Sequence, residues 1–275
     1  MNNITIGIPR AWFYYKYKYL WCSFFKELGI NILISPYTDE QIMQIGKSIS
    51  NKVCLPLQIY FGHVQYLINK VNYILIPRIN NNESCYYYNS LYDITNNIFD
   101  TKILDYNIDN KVNEEEAFIN MGKKLGFSKQ TIINAYKLAK KEEYKQRKIN
   151  YLLQVRKINR DNKKVLIIGE DYIYQDEYIK NKLINFIKDE NIEIFYSNII
   201  NPDIKSYKKA IKSNIKCLKK SINKTIVITT EPCVLKNAIE NDLKNTLIIK
   251  LDDSNINIKP TMYHFLEDKE NANEW

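Results

Sequence analysis

The sequence predicts an α/β protein built from two parallel-sheet units, residues 1–108 and 163–275, joined by a long helical segment, 109–162. Three observations predict it. Short apolar runs such as Ile4–Ile8, Tyr73–Ile76 and Val165–Ile168 alternate with segments of helical period, the order of strand–helix–strand crossovers. Those runs are continuous rather than alternating, as strands covered on both faces should be. Between Asp109 and Asn162, by contrast, there is no strand signal at all.

The first strand, Ile4–Ile8, is stopped by Pro9. A helix is expected from about Trp12 to Leu28, with Phe13, Leu20, Phe24 and Leu28 at helical spacing and Gly29 as its C-terminal stop. Cys22 falls inside this helix and is expected to pack as a small hydrophobe. A second strand covers Asn31–Ser35. After the turn Pro36-Tyr37-Thr38, Thr38 is placed to cap a helix from Asp39 to about Ser48, with Gln41 in capping-box position. Cys54-Leu55-Pro56 opens a further helix to about Asn69, and the strand Tyr73–Ile76 follows, closed by Pro77-Arg78. Asn80–Ser84 is polar loop leading to Cys85. A helix over Ser90–Phe99 and a strand near Lys102–Asp105 complete the unit.

In 109–162, Ile132, Ile133, Tyr136, Leu138, Ile149, Leu152 and Leu153 recur at roughly helical intervals behind a Ser128 cap, giving one long helix or two. The second unit is expected to carry strands at Val165–Ile168, Ile192–Tyr196, Thr225–Thr229 and Thr246–Leu251. Helices between them would cover about 175–189, 203–220 and 234–243. Cys217 shares a helical face with Ile211, Ile215 and Leu218, again a core position.

Composition removes several classes of function. The start, MNNITIGIPRAWF, has neither the charged opening nor the long apolar stretch of a secretion signal, and no apolar run reaches membrane-spanning length; a cytoplasmic protein without a membrane anchor is expected. Five widely spaced cysteines do not suggest a disulfide framework. The net charge is +9, yet residues 123–164 alone hold 14 Lys and Arg against three acidic residues. That excess fits the solvated face of a connecting helix, and without a reading module nucleic acid is not an expected partner. No GxGxxG or Walker loop occurs among only seven glycines. His63 and His264 form no catalytic triad or zinc spacing, and His63 sits inside a helix.

The remaining candidates are thiols and arginines. Cys54 and Cys233 each neighbour a proline at a helix start, where the helix dipole stabilises a thiolate. Cys85 and Cys233 follow strands at the carboxyl end where open α/β sheets place ligands. Three such thiols could hold three irons of a [4Fe–4S] cluster, although without any CxxC pair the spacing equally allows unrelated structural cysteines. Two tripeptides echo each other, Ile8-Pro9-Arg10 and Ile76-Pro77-Arg78. Each arginine follows a strand, and the pair could bind an anion at a shared crevice edge, or serve only in structural ion pairs and bonds to loop carbonyls.

The segments Gly7-Ile8-Pro9-Arg10-Ala11, Tyr14-Tyr15-Lys16-Tyr17, Phe24-Phe25-Lys26-Glu27-Leu28-Gly29, Cys54-Leu55-Pro56, Gly62-His63-Val64 and Ile76-Pro77-Arg78-Ile79 resemble a family of anaerobic bacterial proteins. These are related to the 2-hydroxyacyl-CoA dehydratases and benzoyl-CoA reductases and are often described as acyl-CoA dehydratase activase-related. The resemblance covers about the first hundred residues and returns loosely at Leu166–Gly169 and near Cys233. It implies a pair of Rossmann-like units around an iron–sulfur cluster held by Cys54, Cys85 and Cys233. It also implies a homologous subunit or ATP-driven activator as partner, and an acyl-CoA or other anionic ligand. The family's Cys-Pro-Lys is here Cys85-Tyr86-Tyr87, and its glycine-rich third site is here Glu231-Pro232-Cys233-Val234. A metal-free binding or scaffold protein of the same fold is the alternative.

Overall fold

The computed structural model describes residues 4–79, 86–183, 192–204, 221–229 and 246–250, together with Ser213, Asn214, Lys216 and Leu218. The chain divides into two compact units, Met1–Glu143 and Tyr144–Trp275. Each holds one four-stranded, all-parallel sheet, so the α/β class with two parallel-sheet units is what the chain adopts.

In the first unit, β1 (Thr5–Ile8), β2 (Asn31–Ile34), β3 (Tyr73–Ile79) and β4 (Ile103–Ile108) stand in the order β2-β1-β3-β4. Helix α1 (Phe13–Glu27) ends in a Schellman motif: Ile30 N–H donates to Phe25 O, Gly29 N–H donates to Lys26 O, and Gly29 takes φ +67°. The expected C-terminal stop at Gly29 is thus present. The same motif recurs at Gly126, φ +88°, which separates α5 (Glu114–Lys124) from α6 (Lys129–Arg156). The helical segment is therefore two helices, and Ser128 caps the second by accepting from Thr131 N–H.

Aromatic residues tie α1, β4, α5 and α6 together. Tyr106 of β4 meets Tyr17 and Trp21 of α1 edge-on, and Phe118 of α5 contacts Phe24, Tyr106 and Tyr136. Another close contact joins α2 (Glu40–Ile49) to α3 (Leu55–Leu67). A Cβ on Gly46 would overlap the carbonyl oxygen of Gln58, and one on Gly62 would overlap that of Ile42. The two helices therefore touch backbone to backbone, which only glycine permits.

Three local expectations are corrected. Asp39, not Thr38, caps α2: its Oδ1 accepts from Ile42 N–H at 2.9 Å, which moves Gln41 out of capping-box position. Strand β3 does not end at Ile76 but runs through Pro77 and Arg78 to Ile79, paired with β4 along its length. Proline is tolerated because β1, on the other side, ends at Ile8, so the missing N–H removes no ladder bond there. Helix α4 (Tyr86–Ile98) also starts before the expected Ser90.

The second unit holds β5 (Lys163–Ile168), β6 (Ile192–Tyr196), β7 (Lys224–Thr229) and β8 (Thr246–Lys250), in the order β6-β5-β7-β8. Leu166, Ile168, Phe195, Leu218 and Val227 form its buried core, with Ile158 and Ile222 against them. Two short helices, α7 (Asp171–Gln175) and α8 (Glu177–Leu183), follow β5. Gln154 of α6 is buried beside the end of β6. Its Nε2 donates to Tyr196 O and Ile199 O, both at 3.1 Å, and its Oε1 accepts from Tyr196 N–H at 2.7 Å. The expected helix over 234–243 lies outside the described residues, as do Cys217 and most of 203–220.

Candidate functional site

The strand order of the first unit sets where a ligand crevice can form. From β1 the chain moves to β2 on one side and then crosses to β3 on the other, so the switch point lies at the carboxyl ends of β1 and β3. Arg10 follows β1 by two residues, and Arg78 is the penultimate residue of β3. Between Arg10 and α1, Trp12 takes φ 47° and ψ −102°, a conformation L-residues rarely adopt. Its ring stacks on Phe13 at 5.4 Å and meets Tyr88 of α4 at 6.0 Å.

The two guanidinium groups are engaged on different sides. Arg10 Nε donates to Ser35 O at 2.9 Å, just past β2, and its backbone N–H donates to Ser35 Oγ at 2.7 Å. Its Cζ lies 4.2 Å from the Tyr37 ring centroid and 5.5 Å from that of Tyr14. Arg78 Nη2 instead donates to Asp93 Oδ1 of α4 at 3.0 Å, and its Cζ lies 4.0 Å from the Tyr92 ring centroid. Neither set of partners was apparent in sequence, since Ser35, Tyr37, Tyr92 and Asp93 belong to no motif.

His63, fully buried in α3, feels the Arg10 charge. Its Nε2 is hydrogen-bonded to Thr38 Oγ1 at 3.0 Å, while Nδ1 has no partner among the described residues. Burial, reinforced by the Arg10 charge, holds its pKa down at about 3, so the ring is neutral. Burial also pushes the Cys22 thiol up to about 11, against Arg10 and Lys18, and raises Tyr14 to about 12. Cys22 therefore remains a neutral, half-buried thiol.

A pH dependence follows. An unfolded histidine titrates near about 6.5. The unfolded chain thus binds the extra proton first, and stability falls as pH drops from about 6.5 towards 3. The expected loss is about 2 kcal/mol between pH 7 and pH 5. Urea midpoints at the two pH values measure it, and an unchanged loss in His63→Gln would assign the effect to another group.

Cys54 is the N-cap residue of α3, half-buried, with φ −64° and ψ 154°. The first turn of α3 contains no acidic residue, and Leu57 and Gln58 N–H donate to Cys54 O. Cys85 and Cys233 lie outside the described residues. Among the described residues, no group of three or more His, Cys, Asp or Glu side chains is placed to hold a metal ion. No helix among them is long and apolar enough to cross a membrane.

A family model described as the CoA enzyme activase uncharacterised domain (DUF2229) matches residues 5–200, from β1 past β6 and well over half of the chain. The chain belongs to this family. That agrees with the resemblance to acyl-CoA dehydratase activase-related proteins, without singling out a particular member. The part of the chain matching the CoA enzyme activase uncharacterised domain contains Arg10, Cys54, His63 and Arg78. No curated protein matches the sequence. Among solved structures, the C-terminal domain of glucosamine-fructose-6-phosphate aminotransferase from Francisella tularensis is similar at 10% identity and a TM-score of 0.28, over 96% of this chain and 81% of that one. The siderophore binding protein BauB, bound to acinetobactin and ferric iron, is similar at 13% identity and a TM-score of 0.22, over 82% and 70%.

Proposed function

We propose that this CoA enzyme activase uncharacterised domain serves a CoA dehydratase-type system as an iron–sulfur-binding component, in electron transfer or low-potential reduction. The observation that carries the reading is the setting of Cys54. A half-buried thiol at the start of a thirteen-residue helix, with no acidic residue in the first turn, is electrostatically suited to ionise and ligate iron. Cys54, Cys85 and Cys233 would be the ligands. A bound [4Fe–4S] cluster would accept and release single electrons. Around it, this chain's own part is to hold the Cys54 sulfur at a fixed helix end and to keep the buried His63 neutral. An acyl-CoA or other anionic molecule is the small ligand, and a homologous subunit or ATP-driven activator is the partner.

The test is reconstitution with iron and sulfide under anaerobic conditions. The wild-type protein is expected to turn brown, with broad visible absorption and bound iron, and Cys54→Ser is expected to lose most of both. A colourless wild-type protein would end the cluster reading. It would favour the second reading, a metal-free scaffold of the same fold, in which Arg78 is tied to Asp93 within the chain.

A further inference from the structure

The two Ile-Pro-Arg tripeptides end neighbouring strands of one sheet, yet they leave their arginines in different electrostatic states. Arg78 has a counter-ion, Asp93, at 3.0 Å. Arg10 has no carboxylate partner among the described residues, and neither of its terminal nitrogens is hydrogen-bonded there. We propose that Arg10 anchors an oxyanion-binding seat, completed by Tyr14 and Tyr37 at the carboxyl ends of β1 and β2, and that Arg78 is not part of it. The seat takes a phosphate or carboxylate group of a small molecule on the two terminal nitrogens of Arg10.

Three features support this assignment. The guanidinium is oriented in advance, by the bond from Nε to Ser35 O and by the Tyr37 and Tyr14 rings, so little side-chain freedom is lost when an anion binds. Its titratable neighbours do not neutralise it: Tyr14, Cys22 and His63 all feel the Arg10 charge, and none is anionic at neutral pH. A partly buried cation without a counter-ion gains from an anion more than a fully solvated one does. Finally, the seat lies at the carboxyl edge of a parallel sheet, the edge at which such sheets bind ligands. The Tyr37 side chain, 58% exposed, adds a flat surface next to the charge.

The experiment is calorimetric titration of the metal-free, full-length protein at low salt with inorganic phosphate, acetate and coenzyme A. The coenzyme arm rests on the functional reading above, whereas the phosphate and acetate arms do not. Because no cluster is needed, a failure here leaves the cluster test standing, and a colourless protein leaves this one standing. Saturable binding of at least one probe is expected. Phosphate binding without acetate binding names a phosphate, and coenzyme A binding more tightly than free phosphate names the coenzyme as its source. Arg10→Gln is expected to weaken binding by about tenfold or more, and Arg10→Lys to restore only part of it because the two-pronged contact is lost. Tyr37→Ala, which leaves the Ser35 bonds in place, is expected to weaken it by about threefold. Arg78→Gln is expected to change it by less than about twofold. Absence of saturable binding to all three probes overturns the proposal, as does a loss in Arg78→Gln equal to that in Arg10→Gln.

Discussion

Gly62→Ala is expected to destabilise the first unit by about 3 kcal/mol, and Gly46→Ala by a similar amount. On an ordinary exposed helix the same change would stabilise by up to about 1 kcal/mol, because alanine is the better helix former. Here the added methyl group meets backbone. At Gly62 it overlaps the Ile42 carbonyl, and at Gly46 the Gln58 carbonyl, and neither can move without breaking its own helix. Gly122 provides an internal comparison, because the nearest atoms to a methyl group there are side-chain carbons of Ile132, at 2.4 to 3.0 Å, and a side chain can shift where a backbone carbonyl cannot. Gly122→Ala should therefore cost visibly less than the other two. Denaturant midpoints of the three variants decide the matter, and a neutral Gly62→Ala would mean that α2 and α3 do not cross in contact.

The second large effect is expected at Gln154. Gln154→Leu keeps the bulk but removes an acceptor and a donor, and should destabilise the second unit by about 2–4 kcal/mol. The two carbonyls it serves retain a partner, since Asn214 Nδ2 donates to Ile199 O at 3.1 Å and, more weakly, to Tyr196 O at 3.4 Å. The Tyr196 N–H has no such substitute among the described residues: it donates to Gln154 Oε1 at 2.7 Å. Most of the cost should therefore appear there. Amide hydrogen exchange offers a direct reading, with faster exchange at Tyr196 than at the core amide of Leu166. Equal acceleration at both would show general loosening instead of a local loss.

These two effects mark the boundary of what the sequence could disclose. The strands were legible because buried parallel strands are short apolar runs, as Leu166-Ile167-Ile168 is, and Gly29 and Ser128 were legible because helix ends have local chemistry. Gln154 was not, because its partners lie more than forty residues away and nothing local marks a glutamine as buried. Gly46 and Gly62 likewise look like weak helix residues until two helices are seen to touch. At the candidate site, the positions of Arg10 and Cys54 relative to β1 and α3 were readable. The inequality of the two arginines was not, since it depends on Asp93 and Ser35 arriving from other elements. Arg78 was placed after its strand because proline is expected to stop one, a rule that fails where the neighbouring strand has already ended.

Helix α6 supplies Ile132, Ala135 and Ala139 to the interior of the first unit and Gln154 to the second. A dissection of the chain into separately produced halves must therefore divide this helix instead of discarding it. Cleavage before Lys129 would strip three buried apolar residues from the first half, and cleavage after Arg156 would leave the second half without the amide that Tyr196 needs. A break near Tyr144 lets each half keep its own portion.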